Sequence, residues 1–163
     1  MSGDPTIEGT EATLSTNNYL ALNEDEIPTG AIESFPGITP NKTFTLGPEK
    51  PDVDHCFITN TDPSSAPIDT RQLPLQTLGT FYHPKSRIHL EIQSTEPAFQ
   101  FYTGKHIDVP AVDGLSARGP RAGFAVEPSR YINAVNNDKW RGMVLLKKGQ
   151  KYGSRNLYRG WRD

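Results

Sequence analysis

Cysteine is almost absent from this sequence. Cys56 is the only one, so no intrachain disulfide can form, and both a disulfide-stapled secreted scaffold and a cysteine-rich zinc site are excluded. Histidine is scarce, and the four present (His55, His83, His89, His106) fall at no metal-ligand spacing. No apolar run approaches the roughly 20 residues of a membrane-spanning helix. The opening "MSGDPTIEGTEATL" has neither a basic n-region nor an apolar h-region, which predicts no signal peptide, a cytoplasmic location and no membrane partner. Without such a signal, the glycosylation sequon Asn41-Lys42-Thr43 carries no weight. A basic field is missing too. The net charge is −2, so a nucleic-acid partner is not expected. Neither "LGPEK" nor "ARGPRAG" has the order of Gly and Lys that cradles a phosphate, the serines near glycine make no nucleophile elbow, and no cofactor is expected.

Turn-formers are plentiful: 14 Gly and 14 Pro stand in a chain of 163 residues that is 34% hydrophobic. That length suffices for one domain with a real core, since such a chain buries roughly 68–70% of its unfolded surface. The balance favours short strands joined by turns. Strands are read at "TEATLST" (10–16), "NNYLAL" with a turn at Pro28-Thr29-Gly30, and "DHCFITN" (54–60). "LQTLGTFYH" (75–83) and "SRIHLEIQST" (86–95) form a hairpin about Pro84-Lys85, and "AFQFYTG" and "AGFAVEP" follow. In the hairpin's second arm Ile88, Leu90 and Ile92 share one face, and His89 and Glu91 the other. The segment 35–51 reads as loop, and only "YINAVNN" (131–137) suits a helical turn. "MVLLKKGQKYGSRNLYRGW" is expected to close the fold as a hairpin turning at Lys148-Gly149, its basic end lying as a solvated tail. Evenly spaced short strands predict an all-β antiparallel sandwich or barrel, one domain over residues 1–163.

Three polar residues interrupt segments that are otherwise apolar. Asp54 opens "DHCFI", Gln100 lies between Phe99 and Phe101, and Glu127 closes "GFAV" immediately before Pro128. Proline fixes its own φ and biases Glu127 towards an extended backbone, which aims the side chain. A carboxylate at the inner end of a buried strand has to be solvated, paired or employed. Each residue also has a plain reading: Asp54 as a turn residue, Gln100 on the solvent side of an alternating strand, Glu127 as a strand end facing water. Together with Phe99, Phe101 and Tyr102, they make up the mixed lining that grips a sugar, with amide and carboxylate groups bonding hydroxyls and rings packing on the apolar face. Cys56, inside an apolar strand, reads as a small core residue.

The stretches "VDHCF", "STEPAFQFYTG", "GFAVEPSRYINAVN" and "LKKGQKYGSRNLYR" resemble, in this order, the C-terminal half of the aldose 1-epimerase (galactose mutarotase) family. "PTIEGTEATL" and "EDEIPTGAI" resemble its middle, especially in the fungal members. The resemblance implies a galactose mutarotase-like antiparallel β-sandwich, here without its N-terminal half, and a monosaccharide substrate bound without metal or cofactor. It implies that Glu127 is the general base that takes the proton from the anomeric C1 hydroxyl, and that Asp54 and Gln100 bind the sugar. The family's histidine acid belongs to an "NHSYFNL"-type motif upstream of "PTIEG". This chain has Met1-Ser2-Gly3-Asp4 there, and none of its four histidines matches.

Three expectations stand side by side. The chain is a truncated mutarotase, a sugar-binding module without turnover, or a member acting on another cyclic hemiacetal with one of its own histidines as acid. Losing a general acid costs on the order of 10²–10⁴ in rate. A halved sandwich would also leave strand edges unpaired, a template for self-association.

Overall fold

The computed structural model describes residues 5–163; Met1-Ser2-Gly3-Asp4 lie outside the described residues. Ten strands follow in chain order: β1 (Glu11–Leu14), β2 (Asn18–Leu22), β3 (Pro28–Ser34), β4 (Thr43–Thr45), β5 (Asp54–Ile58), β6 (Gln76–His83), β7 (Ile88–Ser94), β8 (Ala98–Tyr102), β9 (Ala125–Ser129) and β10 (Asn156–Arg162). Three short 3-10 turns complete the regular structure, at Pro63–Ser65, Ala134–Asn136 and Arg141–Met143. The strands form a back sheet ordered β10-β7-β6-β1-β4 and a front sheet ordered β3-β2-β5-β8-β9. All the pairings are antiparallel. The all-β sandwich expected from the turn spacing is therefore present, and among the described residues no helix is long and apolar enough to cross a membrane.

The main core lies between the sheets. Alternation turns Ala12 and Leu14 of β1, Phe81 of β6 and Ile92 of β7 inward to meet Phe57, Phe99, Phe101 and Val126 of the front sheet. Phe57 and Phe99 stack with centroids 5.5 Å apart, and Phe81 stacks on Phe124 at 4.6 Å. Fully burying each such side chain stabilises by about 1.5–3 kcal/mol.

A second core sits on the outer face of the front sheet. After β9 the chain folds back, so that Tyr131, Ala134, Trp140 and Met143 cover Leu20, Cys56, Ile58 and Ala98. The Tyr131 hydroxyl donates to the Asn60 carbonyl and fastens this cover. Burial pushes the Cys56 thiol up to about 11, in keeping with its reading as a core residue.

Four sequence expectations need correction. The reversal before β3 comes at residues 23–27, where the Asn23 side chain accepts hydrogen bonds from the Asp25 and Ile27 amides. Pro28 opens β3 instead of turning the chain, a position where no amide is missed. The segment 35–51 contains β4, which pairs with β1 through Thr43, Phe44 and Thr45. The closing hairpin does not form, because Met143 is drawn into the second core at 1% exposure. The basic tail is instead strand β10, paired with β7 from Asn156↔Ser94 to Arg162↔Ile88.

Candidate functional site

Strands β5, β8 and β9 lie side by side, and their register decides which side chains meet. Cys56 stands opposite Gln100, and Gln100 opposite Glu127; Asp54 stands opposite Tyr102, and Tyr102 opposite Ala125. With side chains alternating along each strand, Asp54, Gln100, Tyr102 and Glu127 share the outer face of the front sheet. Directly opposed side chains in such a pair have Cβ atoms about 4.5–5.5 Å apart. Three residues separated by tens of positions in the chain thus form one row, beside the second core.

A further correction concerns Glu127. It does not end a buried strand: it is the central residue of β9 and is exposed. Pro128 is accommodated because β9 is an edge strand of its sheet, and its missing amide costs no ladder bond on the open side. The aromatic lining expected around Gln100 also needs revision. Phe99 and Phe101 are fully buried and belong to the inter-sheet core, so only Tyr102 of that group faces the row. Its hydroxyl accepts a hydrogen bond from the His106 amide, 2.6 Å away, at the turn that leaves β8. Gly104 makes that turn possible: its φ is +78°, and an added side chain would collide with the Gly123 carbonyl.

Gln100 Nε2 donates to Asp54 Oδ1 at 2.7 Å, fixing the amide. Its Oε1 is left buried with no hydrogen-bond partner, as is Ser129 Oγ two residues beyond Glu127. Asp54 and Glu127 are exposed. Nearby, Asp52 is paired with Lys105 at 2.8 Å, and the Lys105 hydrogen bond and charge hold its carboxyl below the usual range.

Tyr158 gave no signal in the sequence, because its strand is recognisable only by its pairing with β7. It reaches across from the back sheet and donates to the Val126 carbonyl at 3.4 Å. Burial, with the negative charge of Glu127, raises its hydroxyl above the ordinary phenol value.

The histidines lie elsewhere. His55 points between the sheets, edge-on to Tyr19 and Phe35 with centroids 5.1 Å from each. Its Nδ1 accepts from the Asp54 amide at 3.1 Å, and burial lowers its pKa. His89 lies on the outer face of the back sheet, stacked between Tyr82 and Trp161 and 2.8 Å from Asp163. His83 ends β6 in the same sheet, and His106 is exposed in the turn after β8. Among the described residues no cluster of three or more His, Cys, Asp or Glu is placed to hold a metal ion. The deeper cavities also lie away from the row. One of about 360 Å³ opens between the sheets beside Phe81, Ile88 and Phe124.

The molecule is thus an antiparallel β-sandwich that presents a carboxylate, an amide and a second carboxylate across adjacent strands of one open face. The aldose 1-epimerase family model matches residues 1–159. The bifunctional protein GAL10 of Pachysolen tannophilus is 40% identical over 160 residues, covering 98% of this chain and 21% of that protein. Porcine galactose mutarotase is 30% identical over 158 residues, covering 92% of this chain and 43% of the relative. The crystal structure of a GalM/aldose epimerase homologue from C. elegans superposes with a TM-score of 0.74 at 20% identity, covering 98% of this chain and 48% of that one, which establishes the shared fold. The chain belongs to the aldose 1-epimerase family. It spans about a fifth of the bifunctional relative and under half of the mutarotase.

Proposed function

We propose that this chain carries the base side of an aldose 1-epimerase site and interconverts the α and β anomers of an aldohexose such as galactose or glucose. The observation behind this reading is the cross-strand row, with Glu127 opposite Gln100 and Gln100 bonded to Asp54. Glu127 is exposed and has no ion pair among the described residues, the state a proton acceptor needs. In this reading Glu127 takes the proton from the C1 hydroxyl, and the bond from C1 to the ring oxygen breaks as an acid protonates that oxygen. The free aldehyde rotates about C1–C2. The ring oxygen then attacks the other face and gives up its proton to the conjugate base of the acid, while Glu127 returns the first proton to the C1 oxygen. The partnerless Gln100 Oε1 accepts a hydrogen bond from a sugar hydroxyl, and Asp54 accepts another. Membership in the family, and the name galactose mutarotase borne by the porcine relative, support the substrate class.

One observation favours a second reading, that of a sugar-binding module without turnover. His55 and His89 both point away from the row, so neither stands ready as the acid. Polarimetry of α-D-galactose relaxing to its anomeric equilibrium separates the two. The first reading expects the chain to accelerate relaxation and Glu127→Gln to remove on the order of 10²-fold or more of that acceleration. If chain and variant both match buffer while the folded chain still binds galactose by NMR titration, turnover is excluded and the binding reading stands.

A further inference from the structure

A sandwich of two open sheets has four edge strands, here β4 and β10 of the back sheet and β3 and β9 of the front. An open edge presents unpaired amides and carbonyls to any strand that reaches it, and proteins blunt such edges with short strands or proline. Two of the four are blunted: β4 has only 3 residues, and β9 carries Pro128 within it. The other two lack both devices: strands β3 and β10 are 7 residues each, without proline beyond the first position of β3, although a bulge at Gly30 (φ +98°) confines the regular ladder of β3 with β2 to Ile32, Glu33 and Ser34. Every residue of β10 is exposed, as is every residue of β3 after Pro28. Each edge also shows apolar side chains to solvent: Ile27 and Ile32 at β3, and Leu157, Tyr158 and Trp161 on β10.

Their charges are opposite. Around β3 stand Glu24, Asp25, Glu26 and Glu33, and residues 1–41 contain no lysine or arginine at all. On or beside β10 stand Arg155, Arg159 and Arg162, and residues 139–163 contain 8 lysines and arginines against one acid, Asp163. That acid is itself bonded to His89. Like charges facing one another across a strand pair destabilise it, and opposite charges stabilise it. Pairing of β3 with β3, or of β10 with β10, is therefore disfavoured, whereas β3 with β10 of another copy is favoured.

The two edges also lie at opposite sides of the sandwich. Tyr158 of β10 bonds Val126 of β9, so β10 overlies the β9 edge. Phe35, just after β3, lines one cavity with Phe44 of β4, so β3 lies at the β4 edge.

We propose that β10 of one copy of this chain adds to the β3 edge of another, joining copies head to tail so that the front sheet of one runs on into the back sheet of the next. The contact is heterologous, so it grows into rings or open chains instead of stopping at a symmetric dimer. The regular part of each junction is about 10 Å long, from the three residues Ile32, Glu33 and Ser34 at roughly 3.3 Å each.

Sedimentation velocity of the 163-residue chain across a concentration series tests this. Mass should rise with concentration above 18.1 kDa, and the rise should shrink in about 1 M salt, where the Debye length falls to about 3 Å. Glu33→Lys alone and Arg159→Glu alone should each remain monomeric. An equimolar mixture of the two should recover association, because each variant's altered edge then meets its complement. Gly160→Pro, which removes an outward-facing edge amide without changing charge and has room for a side chain, should also be monomeric, with circular dichroism to verify that each variant is folded. A wild-type chain that stays monomeric at every concentration overturns the proposal, and would be the outcome if these edges await a segment of a longer polypeptide. Association that persists in either charge variant, or that the mixture fails to restore, overturns it equally.

Discussion

Glu127 and Glu96 are both glutamates of the front sheet's surroundings, on or near neighbouring strands, yet they live in opposite conditions. Glu96 is 3% exposed. It holds Arg130 Nε at 2.9 Å, an ion pair close enough to attract though not aligned as a hydrogen bond. It also accepts from the Tyr152 hydroxyl at 2.6 Å, and Arg130 lies over the Tyr152 ring. Burial, then the hydrogen bond and charge of Glu96, raise the Tyr152 hydroxyl above its ordinary value. Glu127 stands three positions before Arg130, exposed and free of ion pairs among the described residues. A carboxylate closed off by an arginine and a phenol is committed to holding the chain; one left open is free to meet a ligand. The two clusters adjoin, and Arg130 anchors the end of the very strand that displays Glu127.

The comparison breaks most visibly in stability. Glu96→Gln leaves the buried Arg130 guanidinium without its counter-charge, and should destabilise the fold by about 3–5 kcal/mol, read from urea unfolding midpoints. Glu127→Gln, at an exposed position, should stay within about 0.5 kcal/mol of the parent in the same measurement. A large loss in the second variant would mean that Glu127 is structural and would remove the contrast.

A smaller, pH-dependent effect sharpens it from behind the row, at His55. Burial disfavours the charged imidazole, so the folded pKa lies below the unfolded value of about 6.5. The unfolded chain therefore binds a proton first as pH falls. The stability that neutral His55 contributes is full above about pH 6.5 and declines as pH drops towards the folded pKa. His55→Asn, whose side-chain oxygen can still accept from the Asp54 amide, should lose less stability than the parent between about pH 7.5 and pH 5.5. Equal losses in the two would show that His55 does not titrate across this range.

The middle of the back sheet is legible in the sequence alone. The period of two at Ile88, Leu90 and Ile92, and the turn at Pro84-Lys85, are local signals and appear as the β6–β7 hairpin. The pattern was less informative where an element depends on a distant partner. Strand β10 is read as such only against β7, more than sixty residues earlier. Strand β3 is nearly all exposed, so no buried face imposes alternation on it. The position of Glu127 is hidden for the same reason: a mid-strand carboxylate on an edge and a strand-end carboxylate look alike until the register with Gln100 is known.

By itself, then, the sequence determined that this is an all-β chain and which polar residues stand out within its strands: Asp54, Gln100 and Glu127. Alternation, turn chemistry and residue type act over a few neighbours, and such information survives in a linear string. Only the tertiary structure decided that those three share one open face, that Phe99 and Phe101 turn away into the core, and that Glu96 is closed while Glu127 is open. Those outcomes depend on strand register and on which segment covers which face. Both are set by the burial of side chains that meet only when the sheets are assembled.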